Sequence, residues 1–149
     1  MEDPKTILLL EDEAAAQHAI TKTLQNKLLN PIRVLETTHE AMEYLDLHSQ
    51  QTDAPFPILL MVDVKASDQS GLEILSWCRE HANPRIKELA VAIVTHLLDT
   101  AIFRDIYSLG ADAYFSKPFE YGEFDEWVVD SKKLRTRLTS GGRYLALNS

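Results

Sequence analysis

Two apolar runs in this sequence stop on acid. Lys5-Thr6-Ile7-Leu8-Leu9-Leu10 is followed by Glu11, Asp12 and Glu13, and Pro57 to Val62 is followed by Asp63. A third run, Leu89 to Val94, ends on the hydroxyl of Thr95, and the short stretch Ala113 to Phe115 runs into Lys117-Pro118. Singly, a strand-end Asp or Thr is more often a cap, and a Lys before Pro is more often plain surface. Brought together, they define one chemistry. Clustered carboxylates repel, so such a site persists only if a cation shares it or one acid keeps its proton. Mg2+ suits it, being an oxygen-seeking ion that takes few protein ligands, keeps several waters and bridges to phosphate oxygens. A phosphoryl group has three oxygens to neutralise, for which one divalent ion, one lysine and one hydroxyl suffice. A carboxylate is itself a competent nucleophile, giving an acyl phosphate, and Asp63 at the end of its strand is placed for that role.

The elements that would gather these residues follow from periodicity. The apolar runs have the form of strands buried on both faces. Ala16, Ile20, Leu24 and Leu28 form the stripe of a helix from Glu13 to about Leu29, ended by Asn30-Pro31. Ile32 to Leu35 is a short strand. Thr37-Thr38-His39-Glu40 has the form of a capping box for a helix reaching Leu47. Ser49 to Pro57 is a loop. Leu72, Leu75, Cys78 and Arg79 mark a third helix closed by Asn83-Pro84, and Leu98, Ile102, Ile106 and Leu109 a fourth, with Gly110 at its end. Phe124, Trp127 and Val128 mark a last helix whose buried side continues to Leu134. Thr139 to Ser149 is expected to be a mobile tail, although Tyr144 to Leu147 is apolar enough to dock.

Five strands alternating with five helices predict a flavodoxin-like, doubly wound (βα)5 three-layer sandwich with a parallel sheet ordered 2-1-3-4-5. Its switch point lies between the first and third strands, which end on Glu11-Asp12 and on Asp63. The three carboxylates are therefore expected in one cleft.

At 149 residues, a single domain covering 1–138 with a tail over 139–149 and no effector domain is expected. The formal charge of −8 argues against a nucleic-acid partner. Lys132, Lys133, Arg135 and Arg137 read as a solvated helix face. One cysteine, Cys78, excludes an internal disulfide, and no run approaches a membrane span, so a cytoplasmic protein without a membrane partner is expected. His39 and His48 read as exposed surface residues.

Taken together, Leu10-Glu11-Asp12-Glu13, Val62-Asp63, Gly71 eight residues beyond, Val94-Thr95 and Gly110-Ala111-Asp112-Ala113-Tyr114-Phe115-Ser116-Lys117-Pro118-Phe119 resemble the receiver domain of two-component response regulators, from about Thr6 to about Lys133. The resemblance implies a phosphoacceptor rather than an enzyme acting on outside substrates. Asp63 would take a phosphoryl group from a histidine kinase, with Mg2+ held by Asp12, Asp63 and the backbone carbonyl of Lys65, and by Glu11 through water. It implies a cis peptide before Pro118. It also implies a switch in which the Thr95 hydroxyl moves to the new oxygens, Tyr114 rotates inward, and the face of the fourth helix, fifth strand and fifth helix repacks. The plain alternative for Tyr114 is a half-buried strand aromatic. Phe103, Tyr107, Tyr121 and Val129 fall off the core stripes, so that face would suit a protein target or a second copy, as a homodimer. The last helix and tail resemble those of regulators paired with phytochrome-type kinases.

The chain departs from the family's usual pattern after Asp63, where Lys65-Ala66-Ser67 stands in a loop that usually carries Met-Pro, and after Thr95, where His96 either gates the site or is plain surface. Two other functions share the chemistry: a phosphoryl shuttle in a phosphorelay, and a Mg2+-dependent aspartyl-phosphate phosphatase. The second usually has an Asp two residues after its nucleophile, where this chain has Lys65. A flavodoxin would need a phosphate-binding loop where Glu11-Asp12-Glu13 stands.

Overall fold

The computed structural model describes residues 3–51, 55–65, 71–96 and 100–148, leaving out the side chains of 100–103. Five strands, β1 (Ile7–Leu10), β2 (Ile32–Leu35), β3 (Leu59–Asp63), β4 (Ala90–Thr95) and β5 (Ala113–Ser116), form one parallel sheet in the order β2-β1-β3-β4-β5. Every residue of β1 and β4 is buried, which is why these strands read as unbroken apolar runs rather than alternating ones.

Alternate residues of each strand feed two separate cores. Ile7, Leu9, Met61 and Val94 face Ile20 and Leu24 of α1 (Ala14–Gln25) and Phe124 and Val128 of α6 (Tyr121–Asp130). Leu8, Leu10, Leu60, Val62 and Ile93 face the other way. There they meet Ala41 and Leu45 of α2 (Thr38–Ser49), Leu75 and Cys78 of α3 (Gly71–Glu80), and Ile106 of α5 (Thr100–Ser108). The three layers and the strand order are those expected. The Thr37 side chain accepts from the Glu40 amide at 3.1 Å, as the capping-box sequence requires.

In its secondary structure the chain differs from expectation in two places. α3 ends at Glu80, and Asn83-Pro84, expected to close it, begins α4 (Pro84–Lys87): the Asn83 side chain accepts from the Arg85 amide at 2.9 Å, and Pro84 supplies the fixed φ of a first helical position. The expected fourth and fifth helices are therefore α5 and α6. The second correction concerns the C-terminal stretch. α6 stops at Asp130, where the Ser131 hydroxyl accepts the amides of Lys133 and Leu134 at 3.1 and 3.2 Å. β6 (Leu134–Thr139) and β7 (Gly142–Leu147) then pair as an antiparallel hairpin. The stretch expected to be mobile is one arm of this hairpin, Leu134 is buried from a strand rather than a helix, and Arg135 and Arg137 lie on β6.

Asn30 helps fasten the hairpin, alongside the Leu29 amide, which donates to the Arg143 carbonyl at 2.8 Å, and the buried side chains of Leu134 and Leu145. Asn30, 2% exposed, donates to the carbonyls of Lys5 (2.8 Å) and Leu145 (3.1 Å) and accepts from the Leu145 amide at 2.6 Å. An Asn30→Ala variant strands these buried groups and should lose about 2–3 kcal/mol of stability. Amide exchange at Leu145 should accelerate well beyond that of β1; equal protection of the two strands would contradict this role. Among the described residues no helix is long and apolar enough to cross a membrane.

Candidate functional site

Parallel strands place all their carboxyl ends at one edge. Leu10 lies opposite Val62 in the β1–β3 pairing, so the residues that follow, Glu11 and Asp63, emerge side by side. One carboxylate oxygen from each of Glu11, Asp12 and Asp63 lies within 4.8 Å of the others. Lys117 enters from the β5 side, its ammonium 2.6 Å from Glu11 Oε1 and 3.0 Å from Asp63 Oδ1. These three side chains are nearly sealed from water, at 7%, 0% and 5% exposure for Lys117, Glu11 and Asp63. A second lysine, Lys65, binds Asp12 Oδ1 through its ammonium and lies 3.9 Å from Asp63 Oδ2. The Lys117–Pro118 peptide is cis.

Among the described residues, three carboxylates against two ammonium groups leave the cluster short of positive charge, and the donors of those three acids are hard oxygens. That donor set and charge fit a small divalent cation. Burial raises the Asp63 carboxyl above the ordinary aspartate value, Lys117 opposes this by its hydrogen bond, and the Glu11 charge adds to the rise. The hydrogen bond from Lys65 holds Asp12 below the ordinary value, and its partner Lys65 is raised. Burial would lower Lys117, but its bonds to Glu11 and Asp63 outweigh that and raise it. A cleft of about 350 Å3 opens over the acids, lined also by Thr38, His39 and Lys65.

Gly71 makes room for this arrangement. A Cβ there would come within 2.8 Å of the Asp63 carbonyl and 2.9 Å of the Val62 side chain, so only glycine lets α3 start directly against the end of β3. Thr95 is fully buried, and its hydroxyl donates to the Val64 carbonyl on the chain leaving β3. Tyr114 is half-buried on β5 and lines a groove of about 360 Å3 with Tyr107, Trp127, Glu123, Glu126 and Asp130. Tyr107 and Val129 are exposed at 45% and 75% as expected, whereas Tyr121 turns inward, its ring 5.8 Å from that of Phe124. His96 is exposed. Ala66, Ser67 and the Phe103 side chain lie outside the described residues.

Arg79, read from sequence as part of a helical stripe, has a larger role. Its guanidinium donates to the carbonyls of Gly110 (2.9 Å), Lys87 (2.9 Å) and Leu89 (2.8 Å) and to the Asp112 carboxylate (2.8 Å). Asp112 in turn accepts from the Val91 amide at 2.9 Å and pairs with Lys133. This network ties α3, α4 and the turn before β5 into one block.

The family model of the response regulator receiver domain matches residues 7–128. The chain belongs to this family. Among its curated relatives, response regulator Rcp1 of Synechocystis sp. is 27% identical over 117 residues, covering 76% of this chain and 77% of Rcp1. The solved bacteriophytochrome response regulator RtBRR superposes with a TM-score of 0.70 at 25% identity, over 86% of this chain and 78% of its own. A Mn2+-bound structure of Rcp1 superposes at 0.66 with 23% identity, over 80% and 86% of the two chains. This receiver domain thus has the acidic cluster and the five-stranded fold of a signalling phosphoacceptor.

Proposed function

We propose that this receiver domain accepts a phosphoryl group on Asp63 from the phosphohistidine of a sensor histidine kinase and signals by protein contact through the α5/β5/α6 face. The observation that carries this reading is the position of Asp63: a carboxylate at the end of β3, within 4.8 Å of two further acids and 3.0 Å from a buried lysine. Asp12 and Asp63 would hold Mg2+ directly, Glu11 through water, and the Lys65 carbonyl would complete the protein ligands. The ion, when bound, neutralises charge on the phosphoryl oxygens. The reading draws on the Mn2+-bound Rcp1 for a divalent ion in a relative's site, and on RtBRR for a phytochrome-type kinase.

In the transfer, an Asp63 oxygen forms the new O–P bond as the N–P bond to the kinase imidazole breaks, and the imidazole nitrogen leaves with the bonding pair. Lys117, already bonded to Asp63, follows the charge onto the phosphoryl oxygens. Thr95 Oγ1 exchanges the Val64 carbonyl for a phosphoryl oxygen, vacating space beside β4 into which Tyr114 turns. The groove that Tyr114 lines then changes shape. Among the described residues its charged lining is Glu123, Glu126 and Asp130, so it suits a basic partner segment better than a second copy of the same groove. Burial pushes the Cys78 thiol up to about 12, which keeps it protonated and unreactive at neutral pH.

Hydrogen exchange before and after phosphorylation tests the switch. Wild type should change protection along β5 and α6, and Thr95→Ala should take up the phosphoryl group without that change. A Thr95→Ala variant that responds like wild type contradicts the switch, and a wild type that accepts nothing from a phosphorylated kinase contradicts the whole reading.

A further inference from the structure

The acidic cleft contains a cation of the chain's own. Lys65 stands two residues past Asp63, with its ammonium on Asp12 Oδ1 and 3.9 Å from Asp63 Oδ2. These are the two carboxylates assigned above as direct metal ligands. The two lysines of the cluster differ in how they are held. Lys117 is enclosed at 7% exposure and bonded to two buried acids. Lys65 is 35% exposed, its partner Asp12 is 57% exposed, and a flexible four-carbon stem lets its head swing into water. One cation is fixed below the acids and the other lies over their open side.

We infer that Lys65 is a displaceable counter-ion: it occupies the metal's place on Asp12 and Asp63 in the metal-free protein, and a divalent ion binds only by moving it aside. The inference rests on the metal reading of the Glu11, Asp12 and Asp63 cluster. Lys65 therefore stabilises the metal-free form and weakens apparent metal affinity, because a ligand gains only the difference between the two states. Breaking an exposed lysine–carboxylate pair accounts for a factor of a few. An ammonium still tethered within about 8 Å of a divalent ion accounts for a further factor of a few. Together they make the site about tenfold weaker for Mg2+ than it would be with a neutral side chain of similar length. Lys65 is here a positioning residue, setting when the site is loaded rather than touching the reacting atoms.

Calorimetric titration with Mg2+ and thermal unfolding in EDTA or saturating Mg2+, at constant ionic strength, test this on the full chain. Lys65→Met should bind Mg2+ about tenfold more tightly than wild type. It should melt below wild type in EDTA and lose or reverse that deficit in Mg2+. Lys65→Arg, which keeps the cation, should remain close to wild type in both measurements. Equal affinities for wild type and Lys65→Met, or a melting deficit that is the same with and without Mg2+, overturns the inference and leaves the metal reading standing. Absence of Mg2+ binding by wild type and Lys65→Met alike, with Asp12→Asn indistinguishable from both, overturns the metal reading and the inference with it.

Discussion

Lys117→Met should lower the metal-free stability of this receiver domain by about 3–5 kcal/mol at neutral pH, because it leaves two enclosed carboxylates without their common partner. Glu11 and Asp63 are 0% and 5% exposed and both bond the Lys117 ammonium, so neither can recover its lost interaction from water. The variant can relieve the repulsion by taking up a proton, and this fixes the sign of its pH dependence. Asp63 already lies above the ordinary aspartate value through burial, with the Glu11 charge adding to the rise. A carboxyl raised in the folded state stabilises below its unfolded value, about 3.9, and that contribution is lost as pH rises through the folded value. Removing the lysine raises the folded value further and widens this window. The deficit should therefore shrink between about pH 7 and about pH 5 in EDTA, and Mg2+ should also reduce it at neutral pH. Denaturant titration at the two pH values is the check. A deficit independent of both pH and Mg2+ would show that Lys117 packs rather than neutralises.

The second large effect lies away from the chemistry. Arg79→Ala should cost about 3 kcal/mol, a fall in midpoint of roughly 10 °C for a chain of this size. The change removes four hydrogen bonds and leaves the carbonyls of Gly110 and Leu89 and the Asp112 carboxylate without their guanidinium. Arg79→Lys should recover little, since a single ammonium cannot span acceptors that the planar fork reaches from three nitrogens. Gly110 is tied to the same place: at φ 102° it closes the turn, and a Cβ there would meet the Arg79 side chain at 2.9 Å. Thermal unfolding in Mg2+ separates this variant from Lys117→Met, because its loss should persist when the site is loaded. Wild-type stability in Arg79→Ala would contradict the role of the network.

The sheet and the acidic edge were legible because burial on both faces writes a strand as an unbroken apolar run, and the runs of β1, β3 and β4 each stop on a polar side chain, Glu11, Asp63 and Thr95. Glu11 and Asp63 could be placed together from strand order alone. The hairpin was not legible in the same way. β6 alternates Leu134, Thr136 and Leu138 with Arg135 and Arg137, and a short half-exposed strand of this kind reads equally well as the end of a basic helix. Gly141-Gly142 closes the hairpin, and a Cβ on Gly142, at φ 140°, would crowd the Leu29 side chain at 3.3 Å. Asn83-Pro84 misled because the same dipeptide can follow one helix or cap the next, and here it caps α4 three residues past the end of α3. Arg79 sits at a core-facing position of α3, and its partners Gly110 and Asp112 come close only once β4 and β5 are paired. Lys65 stood out in sequence as a departure from the family's pattern, but its reach to Asp12 follows from the adjacency of β1 and β3.

The proposed phosphoacceptor is Asp63. Intact-mass measurement after incubation with acetyl phosphate tests it most directly. Wild type with Mg2+ should gain one phosphoryl group, lose it on treatment with hydroxylamine as an acyl phosphate does, and gain none in EDTA, while Asp63→Asn should gain none under any of these conditions. Labelling of Asp63→Asn to the wild-type extent, or a wild-type label that survives hydroxylamine, would contradict it.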